Sequence, residues 1–266
     1  MKKNICVVGA GQWGMNHIRT LDSLGHLGGV VESNKIKLNK IVENYPDAKI
    51  FDNLDSGIDS KEFSAFIVAT PAETHYSIAR KIIDNKFHVL VEKPLSLSIE
   101  DSEDLLKRSK VNKVNLMVGH VLLFHPAIIK IKELINNGQL GKIQYIYSNR
   151  LNLGQVRTEE NVFWSLAPHD IAIFQYLTDS TPNKINAKGS TFLQKGIPDS
   201  TLTQLEYENG IKGHIFVSWL HPFKEHRFVV IGSKGMLSYE DSSPDKALKF
   251  YEKGIDFVQG QPVKRD

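Results

Sequence analysis

Three glycines near the start of the chain have the spacing of a phosphate-binding turn. They belong to a G-x-G-x-x-G pattern that follows an apolar segment at residues 5–8 and opens a segment of helix length. In that context the first glycine makes a tight turn, the second lets backbone amides approach a pyrophosphate, and the third packs the helix closely. The pattern predicts a dinucleotide site, and its residues are Gly9, Gly11, Gln12, Trp13 and Gly14.

Glu32 closes the next apolar segment, at about the twenty-residue offset where such sites place an acidic side chain. A carboxylate at this position accepts hydrogen bonds from the adenosine ribose hydroxyls and repels a 2′-phosphate. Glu32 therefore predicts NAD rather than NADP as the cofactor, although Lys35 lies nearby and would weaken the repulsion. A glycine turn without a ligand and a site for FAD are the alternatives.

A second group of polar residues follows three later apolar segments. In a doubly wound sheet, the carboxyl ends of the strands line the crevice in which the cofactor lies. We therefore expect the residues directly after these segments to face the cofactor. They are Thr70, Pro71, His75, Glu92, Lys93 and His120.

The elements that must position these residues alternate between short apolar segments and segments of helix length. Such alternation predicts a parallel, doubly wound Rossmann sheet with helices on both faces. Ser98, followed by Asp101, has the pattern of a helix start ahead of Leu105. The predicted strands are residues 5–8, 29–32, 63–69, 88–92 and 114–118.

Beyond a helix candidate at residues 128–135, the second half of the chain has the shorter period of strands. Asn209 and Gly210 stand between two of these strands and are typical of a type I′ hairpin turn. The pattern predicts a mainly antiparallel open sheet, with strands at residues 143–150, 201–207, 211–220, 228–231, 236–239 and 248–251. We expect an NAD-binding domain at 1–121 and a substrate-binding and oligomerisation domain at 122–266.

Composition excludes several other classes of protein. The 266 residues are 41% hydrophobic and 24% charged, as in ordinary folded proteins, and 33 basic against 30 acidic residues form no block that would favour nucleic acid. The chain has no apolar run of about 18 residues, so we expect a cytoplasmic protein with no membrane partner. A single cysteine excludes an internal disulfide.

Metal, hydrolase and P-loop chemistry also find no support in the sequence. The pairs His120 and His125, and His221 and His226, lack acidic or cysteine neighbours at ligand spacing, so we expect no metal site. The chain contains neither a G-x-S-x-G elbow nor a Walker A motif, which argues against an α/β-hydrolase and a P-loop enzyme.

The glycine turn, the runs at 69–75 and 92–94, the Gly119-His120 pair and the late run at 231–235 together resemble the Gfo/Idh/MocA family of sugar oxidoreductases. The resemblance covers almost the whole chain and implies an NAD-dependent dehydrogenase that acts on CH–OH groups. It further implies that Lys93 touches both cofactor and substrate and that Glu92 supports Lys93. A histidine from the second domain would complete the site.

We expect that histidine to be His169. Pro168 predicts a helix start, which would place the imidazole in a first turn, where the helix field disfavours a positive charge. Many relatives carry an aspartate four residues before this histidine, whereas this chain has Ser165, so the acid–base work is left to Lys93 and His169. His169 is the expected base, because a lysine amine, with an ordinary pKa of about 10.4, needs that pKa lowered to act near neutrality.

The stretch at residues 150–157 narrows the resemblance to a branch that acts on nucleotide sugars. These are the UDP-N-acetylglucosamine and UDP-N-acetylglucosaminuronate 3-dehydrogenases of surface polysaccharide biosynthesis, and the uronate is favoured here. The forks of Arg150 and Arg157 would match a uronate carboxylate or a diphosphate, or would be ordinary solvated loop charges. The residues expected at the substrate are Lys93, Arg150, Asn152, Arg157, Ser165 and His169.

The resemblance also has implications for the electron acceptor and for the oligomeric state, and other functions remain as alternatives. It implies a 2-oxo acid that reoxidises bound NADH. Relatives run several tens of residues further, and an uncovered sheet face in the second domain predicts a homodimer or homotetramer. The competing interpretations are another sugar or cyclitol dehydrogenase, a ketosugar reductase that uses NADPH, and a noncatalytic NAD-binding regulatory protein.

Overall fold

The protein forms two compact units, Met1–His120 and Val121–Asp266. A computed structural model describes residues 4–154, 156–158 and 160–265. The boundary predicted after residue 121 lies one residue from this division. Within the described residues, every helix is too short or too polar to cross a lipid bilayer.

The first unit is a six-stranded parallel sheet with helices on its two faces, in the strand order β3-β2-β1-β4-β5-β6. The predicted doubly wound Rossmann sheet is therefore confirmed. Its elements are β1 Ile5–Val8, α1 Gln12–Ser23, β2 Leu27–Val31, α2 Lys35–Asn44, β3 Lys49–Phe51, α3 Leu54–Asp59, β4 Ala65–Val68, α4 Ala72–Asp84, β5 His88–Val91, α5 Ile99–Asn112 and β6 Leu116–Val118.

The apolar strands of this sheet supply two hydrophobic cores, one on each face. Cys6 of β1 and Phe66 of β4 belong to one core, whereas their neighbours Val7 and Ile67 belong to the other. Strands of a sheet that is covered on both faces need largely apolar runs. The five predicted strands accordingly correspond to β1, β2, β4, β5 and β6. β3 is not among the predicted strands, because its three residues form an exposed or half-buried edge.

The second unit is built on a seven-stranded sheet in the order β13-β12-β11-β7-β10-β9-β8, with a separate hairpin of β14 and β15. β7 and β10 are parallel and the other neighbours are antiparallel, as the sequence predicts for most of this sheet. A short 3-10 helix, Val121–Phe124, precedes α6 Pro126–Asn136, β7 Ile143–Leu151, α7 Val162–Thr178, β8 Lys184–Ser190, β9 Ser200–Glu206, β10 Lys212–Ser218, β11 Glu225–Gly232, β12 Met236–Glu240, β13 Leu248–Tyr251, β14 Gly254–Val258 and β15 Gln261–Arg265.

α6 and α7 pack against one face of this sheet and form its hydrophobic core, which includes Ile131, Ile146, Phe174 and Ile215. β9 and β10 form a hairpin, as predicted, and Gly210 has a φ of 84°. The predicted type I′ turn was wrong, because that turn needs a positive φ at both Asn209 and Gly210, and Asn209 has none. The Gly210 amide instead donates to the carbonyl oxygen of Tyr207 at 3.0 Å and closes a four-residue turn. β8, β14 and β15 are not predicted, because their residues are mostly exposed and lack a strict apolar alternation. Homo-oligomerisation through the other face of the sheet stays a prediction.

Candidate cofactor and catalytic site

The three glycines of the turn differ in what a side chain at each position would contact. Gly9 has a φ of +95°, and a Cβ there would lie 2.8 Å from the carbonyl oxygen of Ala69. A Cβ on Gly14 would overlap the carbonyl oxygen of Gly9, so this glycine lets α1 pack on the turn. A Cβ on Gly11 would meet no atom within 4 Å. Internal packing explains Gly9 and Gly14, whereas the open space at Gly11 leaves room for a ligand to approach the backbone.

The amino end of α1 carries the features of an anion site. Gly11 is the N-cap residue and offers no side-chain hydrogen bond to the first-turn amides, and the first turn contains no acidic residue. Those amides and the helix dipole therefore favour a negative group placed at this end. Gln12 and Trp13 are exposed here, and 48% of the Trp13 side chain is accessible.

Glu32 lies directly after β2 and is oriented by the backbone. Its Oε2 accepts a hydrogen bond from the amide of Ala10 at 2.8 Å, and its Oε1 accepts one from the amide of Asn34 at 2.9 Å. The ammonium group near this carboxylate is that of Lys37, at 3.9 Å from Oε2, rather than that of Lys35. The carboxylate is thus fixed beside the glycine turn, with lone pairs left for ribose hydroxyls.

His75 has a different place from the predicted one. Its side chain is 1% exposed, and its Nδ1 and Nε2 lie 2.7 Å and 2.9 Å from the carbonyl oxygens of Pro94 and Thr70. Both ring nitrogens are occupied by backbone, so His75 ties the segment after β4 to the segment after β5. We correct the predicted cofactor contact to a structural role, while Thr70 and the exposed Pro71 stay candidates for the cofactor.

Glu92 and Lys93 follow β5, as predicted, at the same sheet edge as the glycine turn. Glu92 Oε2 accepts a hydrogen bond from the Lys93 amide at 3.3 Å, and Glu92 Oε1 lies 2.7 Å from His17 Nε2. His17 is not among the residues predicted from the sequence. It stands three residues after Gly14 in α1, and this spacing places both residues on one helix face, which was the available signal.

His120 lies just after β6, beside the same pair of residues. Burial, opposed by the Glu92 carboxylate and assisted by Lys93, lowers the pKa of His120 below its usual value. Its Nδ1 is buried and has no hydrogen-bond partner among the described residues. A neutral imidazole with a buried, unpartnered nitrogen at a strand end is suited to hydrogen-bond a ligand.

In the second unit, His169 has a different helical position from the predicted one. α7 begins at Val162, after an N-cap at Asn161 whose side chain accepts from the Trp164 amide at 3.1 Å, and Pro168 lies inside the helix. The prediction that Pro168 starts the helix was wrong. His169 is therefore not in a first turn, and the argument from the field at the helix start does not apply to it.

Burial explains why α7 runs through a proline. Val162 and Ala167 are fully buried before Pro168, and Phe174 and Leu177 are buried after it, so the helix packs over its whole length. This packing outweighs the loss of the one backbone hydrogen bond that a proline cannot donate. Ser165 and His169 lie one helical turn apart and share a face of α7.

The predicted substrate arginines have different surroundings. Arg150 is paired in two places with Asp170, through Nε at 2.8 Å and Nη2 at 3.1 Å, and its Nη1 lies 3.5 Å from Nδ1 of His226. The Arg150 guanidinium group therefore already binds a buried carboxylate, that of Asp170. Arg157 is 48% exposed, with Glu160 at 3.5 Å. Asn152, half-buried after β7, donates its backbone amide to Ser218.

Arg150, Asp170 and His226 also line a cavity of about 50 Å³ in the second unit. Burial, assisted by Arg150, lowers the pKa of His226 to about 4, so this imidazole is neutral near pH 7. Tyr239 and His125, whose side chains lie 3.2 Å apart, complete the polar wall. In the described part of the chain, no group of three or more His, Cys, Asp or Glu side chains could hold a metal.

Two family models match the chain, one for each unit. The model of the oxidoreductase family with an NAD-binding Rossmann fold matches residues 3–120, and that of the GFO/IDH/MocA C-terminal domain matches residues 128–238. The chain belongs to the Gfo/Idh/MocA oxidoreductase family.

Relatives of this Gfo/Idh/MocA protein act on more than one class of substrate. A scyllo-inositol 2-dehydrogenase (NAD(+)) of Bacillus subtilis is 29% identical over 69% of this chain and 55% of its own length. A UDP-N-acetylglucosamine 3-dehydrogenase of Acidithiobacillus ferrooxidans is 23% identical over 98% of this chain and 80% of its own length. The chain thus spans about half of the first relative and four fifths of the second.

A solved structure supports the fold over nearly the whole chain. The WlbA dehydrogenase of Bordetella pertussis, in complex with NADH and UDP-GlcNAcA, superposes with a TM-score of 0.84. It is 20% identical and covers 95% of this chain and 83% of its own. The similarity shows a shared architecture.

The first domain of this Gfo/Idh/MocA protein is an NAD-binding Rossmann domain, and its residues fit the cofactor. The open space at Gly11 and the uncapped start of α1 suit a pyrophosphate, and the Glu32 carboxylate suits the ribose hydroxyls. The unpartnered Nδ1 of His120 suits a polar group of the cofactor at the ends of the strands. Gln12, Trp13, Thr70, Pro71 and Lys93 complete the set that would hold it.

Proposed function

We propose that this protein is an NAD-dependent dehydrogenase that oxidises the C3 hydroxyl of a UDP-N-acetylated sugar to a ketone, with the UDP-N-acetylglucosamine uronate as its preferred substrate. The observation that carries the proposal is the position of Lys93, directly after β5 and hydrogen-bonded through its amide to Glu92, at the sheet edge that holds the glycine turn. A lysine that follows a strand at this edge lies where a hydroxyl group bound beside the cofactor is expected.

The similarity to nucleotide-sugar enzymes supports the choice of substrate. The UDP-N-acetylglucosamine 3-dehydrogenase matches 98% of this chain, and the WlbA dehydrogenase structure is a complex with NADH and UDP-GlcNAcA. Of the two arginines expected at an anionic group, Arg150 is already paired with Asp170, so we assign that role to the exposed Arg157. Asn152 and Ser165 are the further side chains that we assign to the sugar.

Lys93 and His169 are the acid–base residues of the proposed reaction. When bound, NAD supplies the acceptor for the hydride that leaves C3. His169 takes the hydroxyl proton, and Lys93 orients the hydroxyl and stabilises the negative charge that develops on its oxygen. Positioned acid–base groups of this kind are worth about 10² to 10⁴ in rate. The absence of a carboxylate at Ser165 is the reason why the work falls on these two residues.

A cyclitol is the second candidate substrate. The observation in its favour is the 29% identity to scyllo-inositol 2-dehydrogenase, which exceeds the identity to the nucleotide-sugar enzyme. A cyclitol lacks both the diphosphate and the uronate carboxylate. Arg157 would therefore have no anion to bind, and its replacement would leave the activity unchanged.

A panel of substrates tests the proposal. The purified protein is incubated with NAD and, separately, with UDP-N-acetylglucosamine uronate, UDP-N-acetylglucosamine, scyllo-inositol and myo-inositol, and the products are identified by mass spectrometry. We expect a 3-keto product from the uronate, and the transfer of deuterium from C3-deuterated substrate to the cofactor. Oxidation of a cyclitol alone would support the second candidate. NAD binding without oxidation of any compound would contradict both candidates.

The proposal also includes a 2-oxo acid as the electron acceptor and a homo-oligomeric state. If NADH stays bound after the first oxidation, a 2-oxo acid added to the mixture restores turnover, and the corresponding 2-hydroxy acid accumulates. Light scattering gives the oligomeric state, for which we expect a dimer or a tetramer. Failure of the 2-oxo acid to increase turnover would exclude it as the electron acceptor.

A further inference from the structure

A buried carboxylate holds the loop between β8 and β9, at residues 191–199. Asp199 is fully buried, and its Oδ2 accepts hydrogen bonds from the amides of Phe192 at 2.5 Å and Leu193 at 2.8 Å. Phe192 and Leu193 are 71% and 54% exposed, so burial of their side chains does not place the loop. The hydrogen bonds to Asp199 place it instead, because a carboxylate in the interior requires such donors.

The last residues of the same loop are tied to the body of the second unit. The carbonyl oxygen of Pro198 accepts from the Val162 amide at 3.1 Å, and that of Asp199 accepts from the Trp219 amide at 2.9 Å. Val162 is the first residue of α7, and Trp219 is buried in the core. The β8–β9 loop therefore has a fixed position relative to the start of α7.

Gln194, within this loop, contacts the segment that contains Arg157. Its Nε2 donates to the carbonyl oxygen of Arg157 at 2.8 Å, and the two residues are 37 positions apart in the chain. The Arg157 side chain has a partly exposed ion pair with Glu160, at 3.5 Å from Nε to Oε1. Pairs of this kind are weak, so an anionic ligand can take the place of the Glu160 carboxylate. The backbone of Arg157 is thus held while its guanidinium group can bind a ligand.

We propose that Asp199 and Gln194 are positioning residues for an anionic nucleotide sugar. Asp199 holds the β8–β9 loop, and Gln194 of that loop holds the backbone of Arg157 where its guanidinium group meets the anionic part of the substrate. This inference rests on the proposed role of Arg157 and extends it to a separate loop. A fixed backbone lowers the conformational entropy that the segment loses when the ligand binds. The effect is therefore on substrate affinity and not on the chemical step.

Tryptic cleavage after Arg157 tests the contact with Gln194 without any substrate. The rate of cleavage reports how often this segment opens, and peptide mass spectrometry of the full-length protein measures it. Gln194→Met keeps the length of the side chain but cannot donate to the carbonyl oxygen. We expect cleavage after Arg157 to be about fivefold faster in this variant, the factor that one hydrogen bond between uncharged groups supplies. Cleavage after Lys253, which lies between β13 and β14, should not change.

Asp199→Asn tests the anchor of the loop by the same measurement. Cleavage after Arg157 should again be faster than in the wild type, because an amide oxygen is a weaker acceptor than a carboxylate oxygen. If Asp199→Asn does not fold, Gln194→Met decides the inference, since Gln194 lies at the surface of the loop and its replacement removes no buried group.

Substrate affinity tests the consequence for recognition. In Gln194→Met we expect the KM for UDP-N-acetylglucosamine uronate to rise about fivefold, with kcat and NAD affinity unchanged. Adding Gln194→Met to Arg157→Gln should leave KM as it is in Arg157→Gln, because the guanidinium group that Gln194 positions is then absent. Gln139→Met, an exposed glutamine after α6, is the matched control and should have the wild-type KM and cleavage rate.

Unchanged cleavage after Arg157 in Gln194→Met, or an equal rise in KM with and without Arg157, would overturn the inference. Its failure differs from failure of the proposed function. If the wild type binds the uronate without oxidising it, calorimetry gives Kd in place of KM, and a fivefold higher Kd in Gln194→Met supports the inference. An active enzyme with an unchanged KM in Gln194→Met would reject the inference alone, whereas a wild type that does not bind the uronate would overturn both.

Discussion

The carboxylate of Glu32 accepts a hydrogen bond of 2.8 Å from the amide of Ala10, inside the glycine turn. One acidic side chain thus supports the turn and presents its charge where the adenosine ribose is expected. Glu32→Gln keeps the size of the side chain but removes the charge. We predict that its affinity for NAD falls by about tenfold, the equivalent of one hydrogen bond to a charged group, and that its preference for NAD over NADP shrinks.

Fluorescence titration with both cofactors measures this preference. Glu43→Gln, an exposed carboxylate of α2, is the control and should bind both cofactors as the wild type does. An unchanged ratio of NAD to NADP affinity in Glu32→Gln would show that this carboxylate does not choose the cofactor.

Replacing Gly14 by alanine should lower the stability of the protein, whereas replacing Gly11 by alanine should lower its affinity for NAD. At Gly14 the new methyl group would overlap the Gly9 carbonyl oxygen, so we predict a loss of about 1–3 kcal/mol in the free energy of unfolding. At Gly11 the methyl group meets no protein atom, so stability should stay near that of the wild type while NAD affinity falls. Urea unfolding and NAD titration of the two variants make the comparison, and equal NAD affinity in Gly11→Ala and the wild type would contradict a pyrophosphate at this turn.

His75 should affect stability and turnover together. His75→Phe keeps an aromatic ring but removes the contacts to the carbonyl oxygens of the half-buried Thr70 and Pro94, at least one of which accepts a ring N–H. We predict a loss of roughly 1–3 kcal/mol in the free energy of unfolding, together with a lower kcat because the segment that carries Lys93 is released. Urea midpoints and kcat are compared with those of His26→Phe. A stable His75→Phe with full turnover would mean that the two segments hold their places without this ring.

Local signals in the sequence could predict the parts of the site that one segment builds alone. The glycine turn, the ends of the long parallel strands and the Ser98 cap, which accepts from the Asp101 amide at 3.1 Å, depend on neighbours in the chain. Each requires only a turn, a period or a cap, and these are encoded within a few residues. The same holds for the hairpin at Gly210.

Contacts between distant segments could not be predicted in this way. His17 and Glu92 are 75 residues apart, and they meet only because β1 and β5 belong to one sheet and place α1 beside the end of β5. The pairing of Arg150 with Asp170 likewise joins a strand to a helix. The start of α7 was misplaced because Pro168 is a stronger signal in the sequence than the Asn161 cap, while burial of the preceding turn is visible only in the fold.

The cavity of the second unit predicts a pH dependence of stability. Burial, assisted by Arg150 and Lys224 and opposed by Asp241, lowers the pKa of His226 to about 4 from an ordinary 6.5. Between these values the unfolded chain binds a proton that the folded protein does not, so stability falls as the pH drops from 6.5 towards 4. His226→Gln should flatten this part of the curve of unfolding free energy against pH.

His221→Gln is the control for that experiment, because His221 lies outside the residues that line the cavity. Its curve should retain the wild-type slope between the same two pH values. A wild-type slope in His226→Gln would show that other groups cause the loss of stability in acid.

The most direct test of the central claim is the turnover of Lys93→Ala and His169→Ala, measured with the substrate that the panel identifies and alongside NAD titration. His169 is assigned to take the hydroxyl proton and Lys93 to orient the hydroxyl and stabilise its developing charge, so we predict that kcat falls by a factor of about 10² to 10⁴ in each variant. NAD should still bind to each. Wild-type kcat in either variant would contradict the account, because the residue concerned would then have no part in the chemistry.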